Sequence, residues 1–142
     1  ESKFISPAIF DNPSIDENIM KYEIFGPLLP VISVKSIEEA ISFINSREKP
    51  LALYYFGKER DGYKVLDKTS SGGACINDTI LHVANKHLPF GGVGNSGMGR
   101  YHGKESFNLF SNHRSVLISS NKVDFSIKYP PYKNFRLLKK ML

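Results

Sequence analysis

The feature that most narrows what this chain can fold into is an alternation of short apolar runs and amphipathic stretches between residues 28 and 77. Leu28-Leu29-Pro30-Val31-Ile32-Ser33-Val34 follows a Gly26-Pro27 turn, is β-branched toward its end, and fits a buried strand. Ser36 then stands three residues before Glu39, the capping-box spacing that satisfies free N–H groups at a helix start. Ile37, Ala40, Ile41 and Ile44 recur at i, i+3, i+4 and i+7, one stripe facing a core, and Pro50 helps end that helix. Leu51-Ala52-Leu53-Tyr54-Tyr55-Phe56 reads as a second strand stopped by Gly57. A weaker helix is predicted from Asp61 to about Lys68, with Gly62 lowering its propensity. Gly72-Gly73 breaks it, and Ala74-Cys75-Ile76-Asn77 makes a third strand. Strand–helix–strand–helix–strand at this spacing predicts an α/β chain, a βαβαβ unit on a parallel sheet with right-handed crossovers.

On either side the pattern is looser. Residues 1–20 mix short apolar runs with Pro7, Asp11 and Pro13 and read as extended segments and turns. Residues 85–99 are loop-rich, with Pro89 and Gly91, Gly92, Gly94, Gly97 and Gly99. A helix is expected from about Lys104 to Phe110, then one more strand at Ser115-Val116-Leu117-Ile118-Ser119, then a tail with Tyr129-Pro130-Pro131-Tyr132 and a Leu137–Leu142 end.

The 142 residues are the length of one ordinary domain, and 41% apolar content can build a core. No run approaches the ~18 apolar residues of a membrane-spanning helix, and no signal-peptide pattern opens the chain. The start at Glu1 rather than Met fits a processed protein or a fragment. A single cysteine, Cys75, excludes an internal disulfide framework and suits a reducing compartment, so the expected location is the cytoplasm. His82, His87, His102 and His113 lack zinc-site spacing, and no metal is assigned.

The net charge of +5 invites a nucleic-acid reading, which its distribution argues against. Residues 121–142 hold Lys122, Lys128, Lys133, Arg136, Lys139 and Lys140 against Asp124 alone, so the first 120 residues balance at thirteen basic and thirteen acidic groups. A nucleic-acid footprint belongs on a folded face or motif; a solvated or partner-docking tail is the plainer account. The tail is also too poor in apolar residues to anchor in a bilayer alone.

Two segments carry chemistry. In Glu23-Ile24-Phe25-Gly26-Pro27 the carboxylate can accept hydrogen bonds from both hydroxyls of a ribose, and the aromatic can pack on a flat ring. Alone, it reads more simply as a surface glutamate and a core phenylalanine before a turn. Leu88-Pro89-Phe90-Gly91-Gly92-Val93-Gly94-Asn95-Ser96-Gly97-Met98-Gly99 contains Gly92-x-Gly94-x-x-Gly97, formally a dinucleotide fingerprint. Pro89 and Gly91 precede it where a strand should run, and no acidic residue stands about 20 positions later in a βαβ unit. A loop in which backbone approaches backbone or ligand fits better. Cys75 in a core strand reads as an unreactive buried thiol, and nothing in the sequence brings His82, seven residues on, to it.

Taken together, Glu23–Pro27, the Ser71-Gly72-Gly73-x-Cys75-x-Asn77-Asp78 segment, and Leu88–Gly99 continued by Tyr101-His102-Gly103-Lys104 resemble the aldehyde dehydrogenase superfamily. The Tyr101–Phe107 continuation and the Tyr-Pro-Pro-Tyr tail are similar to its class 3 (fatty and aromatic aldehyde) branch, over nearly the whole chain. The resemblance implies oxidation of aldehydes to acids with NAD or NADP: a cysteine thiolate attacks the carbonyl, hydride passes to the nicotinamide, and water hydrolyses the thioester. It implies that Glu23 holds the nicotinamide-ribose hydroxyls and Phe25 contacts the nicotinamide side. Phe90 is expected to line the aldehyde tunnel, with Asn77, Tyr101 and His102 in or near the substrate pocket. The family's nucleophile and glutamate base lie upstream of Glu-x-Phe-Gly-Pro, and Cys75 does not occupy the nucleophile's position, so the chain alone is expected to be inactive. Residues 1–112 would be the C-terminal part of the catalytic domain, and 113–142 an oligomerisation strand with a basic tail that pairs subunits into a dimer. A non-catalytic interaction module keeping the fold stays open as the alternative.

Overall fold

Ser36 opens its helix as the spacing predicts. In the computed structural model, its hydroxyl accepts from the Glu39 N–H at 3.2 Å, while the Glu39 carboxylate accepts from the Lys35 N–H at 2.6 Å, one residue earlier than a standard capping box. The structure describes residues 3–131 together with Arg136, Lys139 and Lys140. Tyr132, Lys133 and the apolar positions of the Leu137–Leu142 end lie outside the described residues. The chain divides into two compact units, Glu1–Phe110 and Ser111–Leu142.

In the first unit the order is β1 (Ala8–Asp11), α1 (Asn18–Lys21), β2 (Leu28–Val31), α2 (Ile37–Asn45), β3 (Ala52–Tyr55), α3 (Glu59–Lys68), β4 (Gly73–Ile76), α4 (Leu81–Ala84) and α5 (Gly103–Leu109). The α/β class and the parallel sense are as expected. The sheet is not one βαβαβ ladder: β1 pairs with β2 (Ala8 opposite Leu28) and β3 with β4 (Ala52 opposite Gly73), each parallel. The expected β2–β3 neighbours are therefore not hydrogen-bonded partners. β2 takes its partner from residues 8–11, within the stretch that reads as extended segments and turns around Pro7 and Pro13, and Pro30 removes a donor from β2, as on edge strands.

The core of this unit lies where α2 and α3 pack against β3. Ile41 of α2, Leu53 of β3 and Val65 of α3 are buried together, with Ile37, Ile44, Tyr55 and Leu66 packed against them. Burying one such side chain contributes about 1.5–3 kcal/mol. Gly62 lowers the propensity of α3 yet sits where an added Cβ would lie 2.9 Å from the Ile76 and Tyr55 side chains, so the helix closes tightly on the β3–β4 pair.

In the second unit the expected strand at Ser115–Ser119 does not form. Among the described residues this run joins no ladder, and Leu117 is 91% exposed. Its β-branched composition suits a strand, but a strand exists only by pairing, and no described segment offers its edge. Further on, a 3-10 turn spans Ser126–Lys128, and the Tyr129 hydroxyl donates to the Asp124 carboxylate across it at 2.7 Å. No described helix is long and apolar enough to cross a membrane.

Candidate functional site

The carboxyl ends of β3 and β4 are locked by Asn77. Its side-chain carbonyl accepts from the Gly57 N–H at 2.8 Å, its amide donates to the Gly57 carbonyl at 3.0 Å, and its own N–H donates to the Tyr55 carbonyl at 2.7 Å. This residue has φ +58°, a left-handed conformation that asparagine tolerates better than most. Both ends of its amide are thus committed to backbone. The chain then turns through Ile80, at φ +44°, into the single turn of α4.

From there the chain reaches Phe90, which pairs with Tyr101 in a two-way antiparallel bridge: Phe90 N–H to Tyr101 carbonyl at 2.8 Å and the reverse at 2.9 Å. The bridge pinches residues 91–100 into a closed loop, and the glycines are what let it close. A Cβ on Gly91 would fall on the Gly99 carbonyl and lie 3.0 Å from the Arg100 Cα; one on Gly92 would fall on the Ser96 carbonyl, 2.5 Å from the Gly97 nitrogen. Ser96 Oγ accepts from the Val93 N–H and donates to its carbonyl, both at 2.9 Å. The formal dinucleotide fingerprint is therefore a loop-closure element: a lone bridge, not a strand, precedes it, and α5 begins only at Gly103. Arg100 Nη1 donates to the Gly72 carbonyl at 2.5 Å, tying the loop to the start of β4.

The bridge gathers three of the expected substrate-pocket residues. Phe90 stacks on His102 (centroids 5.7 Å, 27°) and meets Tyr101 edge-on (6.0 Å, 84°), while Tyr101 and His102 make a T-shaped pair at 4.7 Å. His102 has φ +93°, and its N–H donates to Ser106 Oγ of α5 at 2.8 Å, so a strained backbone is held by the helix it precedes. No hydrogen bond or ring contact among the described residues joins Asn77, Glu23 or Phe25 to this cluster.

The sequence reading names Cys75 and His82 but gives no sign that they meet each other or this cluster. His82 of α4 is buried, with its ring 5.7 Å from Tyr54 and 5.9 Å from Phe90, and Cys75 Sγ lies 3.4 Å from its Nδ1. Cys75 and His82 do meet. The available signal was Gly73: a glycine inside a strand often marks a close approach, and a Cβ there would be 2.7 Å from His82 Cδ2.

The Glu23–Pro27 segment follows α1. The Glu23 carboxylate is exposed and has no internal partner among the described residues, and it borders an open apolar groove of about 570 Å³ shared with Phe10, Ile19, Tyr22, Ile24 and Leu28. Phe25 is 90% exposed with φ +46°, an uncommon conformation for a bulky residue. An exposed carboxylate can accept from the hydroxyls of a ribose and a bare ring can pack on a flat heterocycle, so these residues fit a nucleotide.

Comparison with known proteins matches residues 1–116 to the model of the aldehyde dehydrogenase family. Aldehyde dehydrogenase family 3 member B1 from Mus musculus is 51% identical over 142 residues, covering 96% of this chain and 30% of its own length. The substrate-bound structure of Staphylococcus aureus AldH is 45% identical with a TM-score of 0.84, covering 98% of this chain and 31% of that one. The Mycobacterium tuberculosis aldehyde dehydrogenase complexed with NAD+ is 31% identical with a TM-score of 0.70, covering 80% of this chain and 23% of that one. The chain thus spans less than a third of the length of these relatives. It belongs to the aldehyde dehydrogenase family.

Proposed function

We propose that this chain forms one wall of the active site of an NAD(P)-dependent aldehyde dehydrogenase, which oxidises aldehydes to carboxylic acids. The observation that carries the reading is the bridge that sets the Phe90, Tyr101 and His102 rings against one another, an aromatic surface with polar tips suited to an apolar aldehyde. Asn77 would support the mouth of that pocket through the backbone it clamps. Glu23 would hold the nicotinamide-ribose hydroxyls and Phe25 would lie against the nicotinamide. When bound, that group accepts the hydride. The NAD+ complex of the mycobacterial relative supports this cofactor class. Cys75 is packed on His82, which in turn meets Phe90; this supports a structural thiol, and the 142 residues alone are expected to be inactive. The exposed Ser115–Ser119 run would find its ladder partner in a second subunit, giving a homodimer.

The test follows reduced nicotinamide in the complete polypeptide encoded by the gene, across short, fatty and aromatic aldehydes. Activity is expected there and not in the 142 residues alone. Glu23→Gln should raise the cofactor KM roughly 10- to 100-fold, the worth of hydrogen bonds to a charged acceptor. Turnover by the isolated chain, or an unchanged cofactor KM, would overturn the reading.

A further inference from the structure

His82 is the one buried polar side chain among the described residues, at 8% exposure, and its Nε2 is buried with no hydrogen-bond partner. A residue needed merely to fill this space would be apolar, because an unsatisfied buried ring nitrogen is costly and a phenyl ring is not. The imidazole is instead fixed from three sides. Cys75 Sγ sits 3.4 Å from Nδ1, a weak hydrogen bond that either ring tautomer completes. Gly73 lies against the ring, where a Cβ would come within 2.7 Å of Cδ2 and 2.9 Å of Nε2. Tyr54 meets it at 71° from the neighbouring strand β3.

The fourth side is Phe90, tilted 59° to the imidazole. Phe90's other ring neighbours, Tyr101 and His102, lie on the returning limb of its own loop, so they move with it. His82 is the ring contact through which the aromatic cluster is referred to the β3–β4 pair. We infer that His82, held by Cys75 over Gly73, is a positioning residue that fixes the Phe90 ring and so sets the pocket's discrimination for aldehydes with bulky apolar groups. This rests on the reading of Phe90 as a pocket wall. An aldehyde too small to reach Phe90 is indifferent to the device; a planar aromatic aldehyde depends on it.

The experiment compares benzaldehyde with propanal in the complete polypeptide. His82→Gln removes the ring and keeps a polar atom. It should raise the KM for benzaldehyde about three- to tenfold, the usual worth of an aromatic pair, while leaving the KM for propanal and both kcat values within about twofold. Cys75→Ala, which leaves the imidazole but frees it to rotate, should give the same split more weakly, and Cys75→Ser should restore the original values. If His82→Gln fails to fold, Cys75→Ala and Cys75→Ser carry the comparison. An unchanged benzaldehyde KM, or an equal loss for both aldehydes, overturns the inference. The coupling is also read without activity: melting temperatures of His82→Gln, Phe90→Ala and the double variant should be non-additive, and strict additivity overturns the inference. If the unsubstituted protein oxidises neither aldehyde, the proposed function fails, and the melting cycle alone then decides the positioning role.

Discussion

Gly72 is where three backbones converge, and Gly72→Ala measures how closely. A Cβ there would stand 2.5 Å from the Leu51 carbonyl oxygen and 2.9 Å from the Gly92 Cα, and would meet the Gly91 carbonyl as well. Ordinary contact begins near 3.4 Å, so the Leu51 carbonyl must retreat by about 0.9 Å, and no flexible side chain is there to give way. Overpacking of this kind costs about 1–3 kcal/mol. The retreat also weakens a bond from the Gly73 N–H to Leu51, now 2.9 Å, for another ~0.5–1.5 kcal/mol. Against this stands ~0.4–1 kcal/mol from restricting the unfolded chain. The net is a loss of about 2 kcal/mol in local stability. Amide hydrogen exchange across residues 51–56 and 72–77 reads it directly, and about a 30-fold acceleration is expected. Gly26→Ala is the matched control: its Cβ would meet nothing closer than 3.7 Å, so exchange in those peptides should not change. Acceleration below threefold for Gly72→Ala would refute the close-approach argument.

Asn77→Ala should destabilise the protein by roughly 2–4 kcal/mol in thermal unfolding, from two lost hydrogen bonds plus the cost of a left-handed alanine; Asn77→Gly, which keeps φ +58° without strain, should lose about half of that, and equal losses would sink the division. The Asp124–Tyr129 bond makes its own pH window. The Tyr129 hydroxyl, with Lys128 beside it, holds the Asp124 carboxyl below its ordinary 3.8, so this contribution is complete above that value and is lost as pH falls through the lowered one. Asp124 in turn pushes the Tyr129 phenol above its ordinary 10.0, so the bond persists to that pH and is lost as pH rises through the raised value. A Tyr129 ring titration with its midpoint at or below that of free tyrosine would contradict the bond.

Periodicity made the local elements legible. The stripe Ile37, Ala40, Ile41, Ile44 and the Ser36 cap define α2 because a helix is decided within a few residues, and β3 and β4 stand out as apolar runs bounded by glycine. The glycines of residues 91–99 announced a closed loop because only glycine admits such approach. Strand pairing is decided by segments far apart in the chain, and here the pattern said less. Nothing local makes Ala8–Asp11 the partner of β2, and nothing local denies Ser115–Ser119 a partner, since a strand is completed by hydrogen bonds to another segment. The site divides the same way. Phe90, Tyr101 and His102 were recognisable as residues, but only the antiparallel bridge brings their rings together. Cys75 and His82 stand seven positions apart across the left-handed residues Asn77 and Ile80, and only the tertiary fold lays the imidazole over Gly73 and against Phe90.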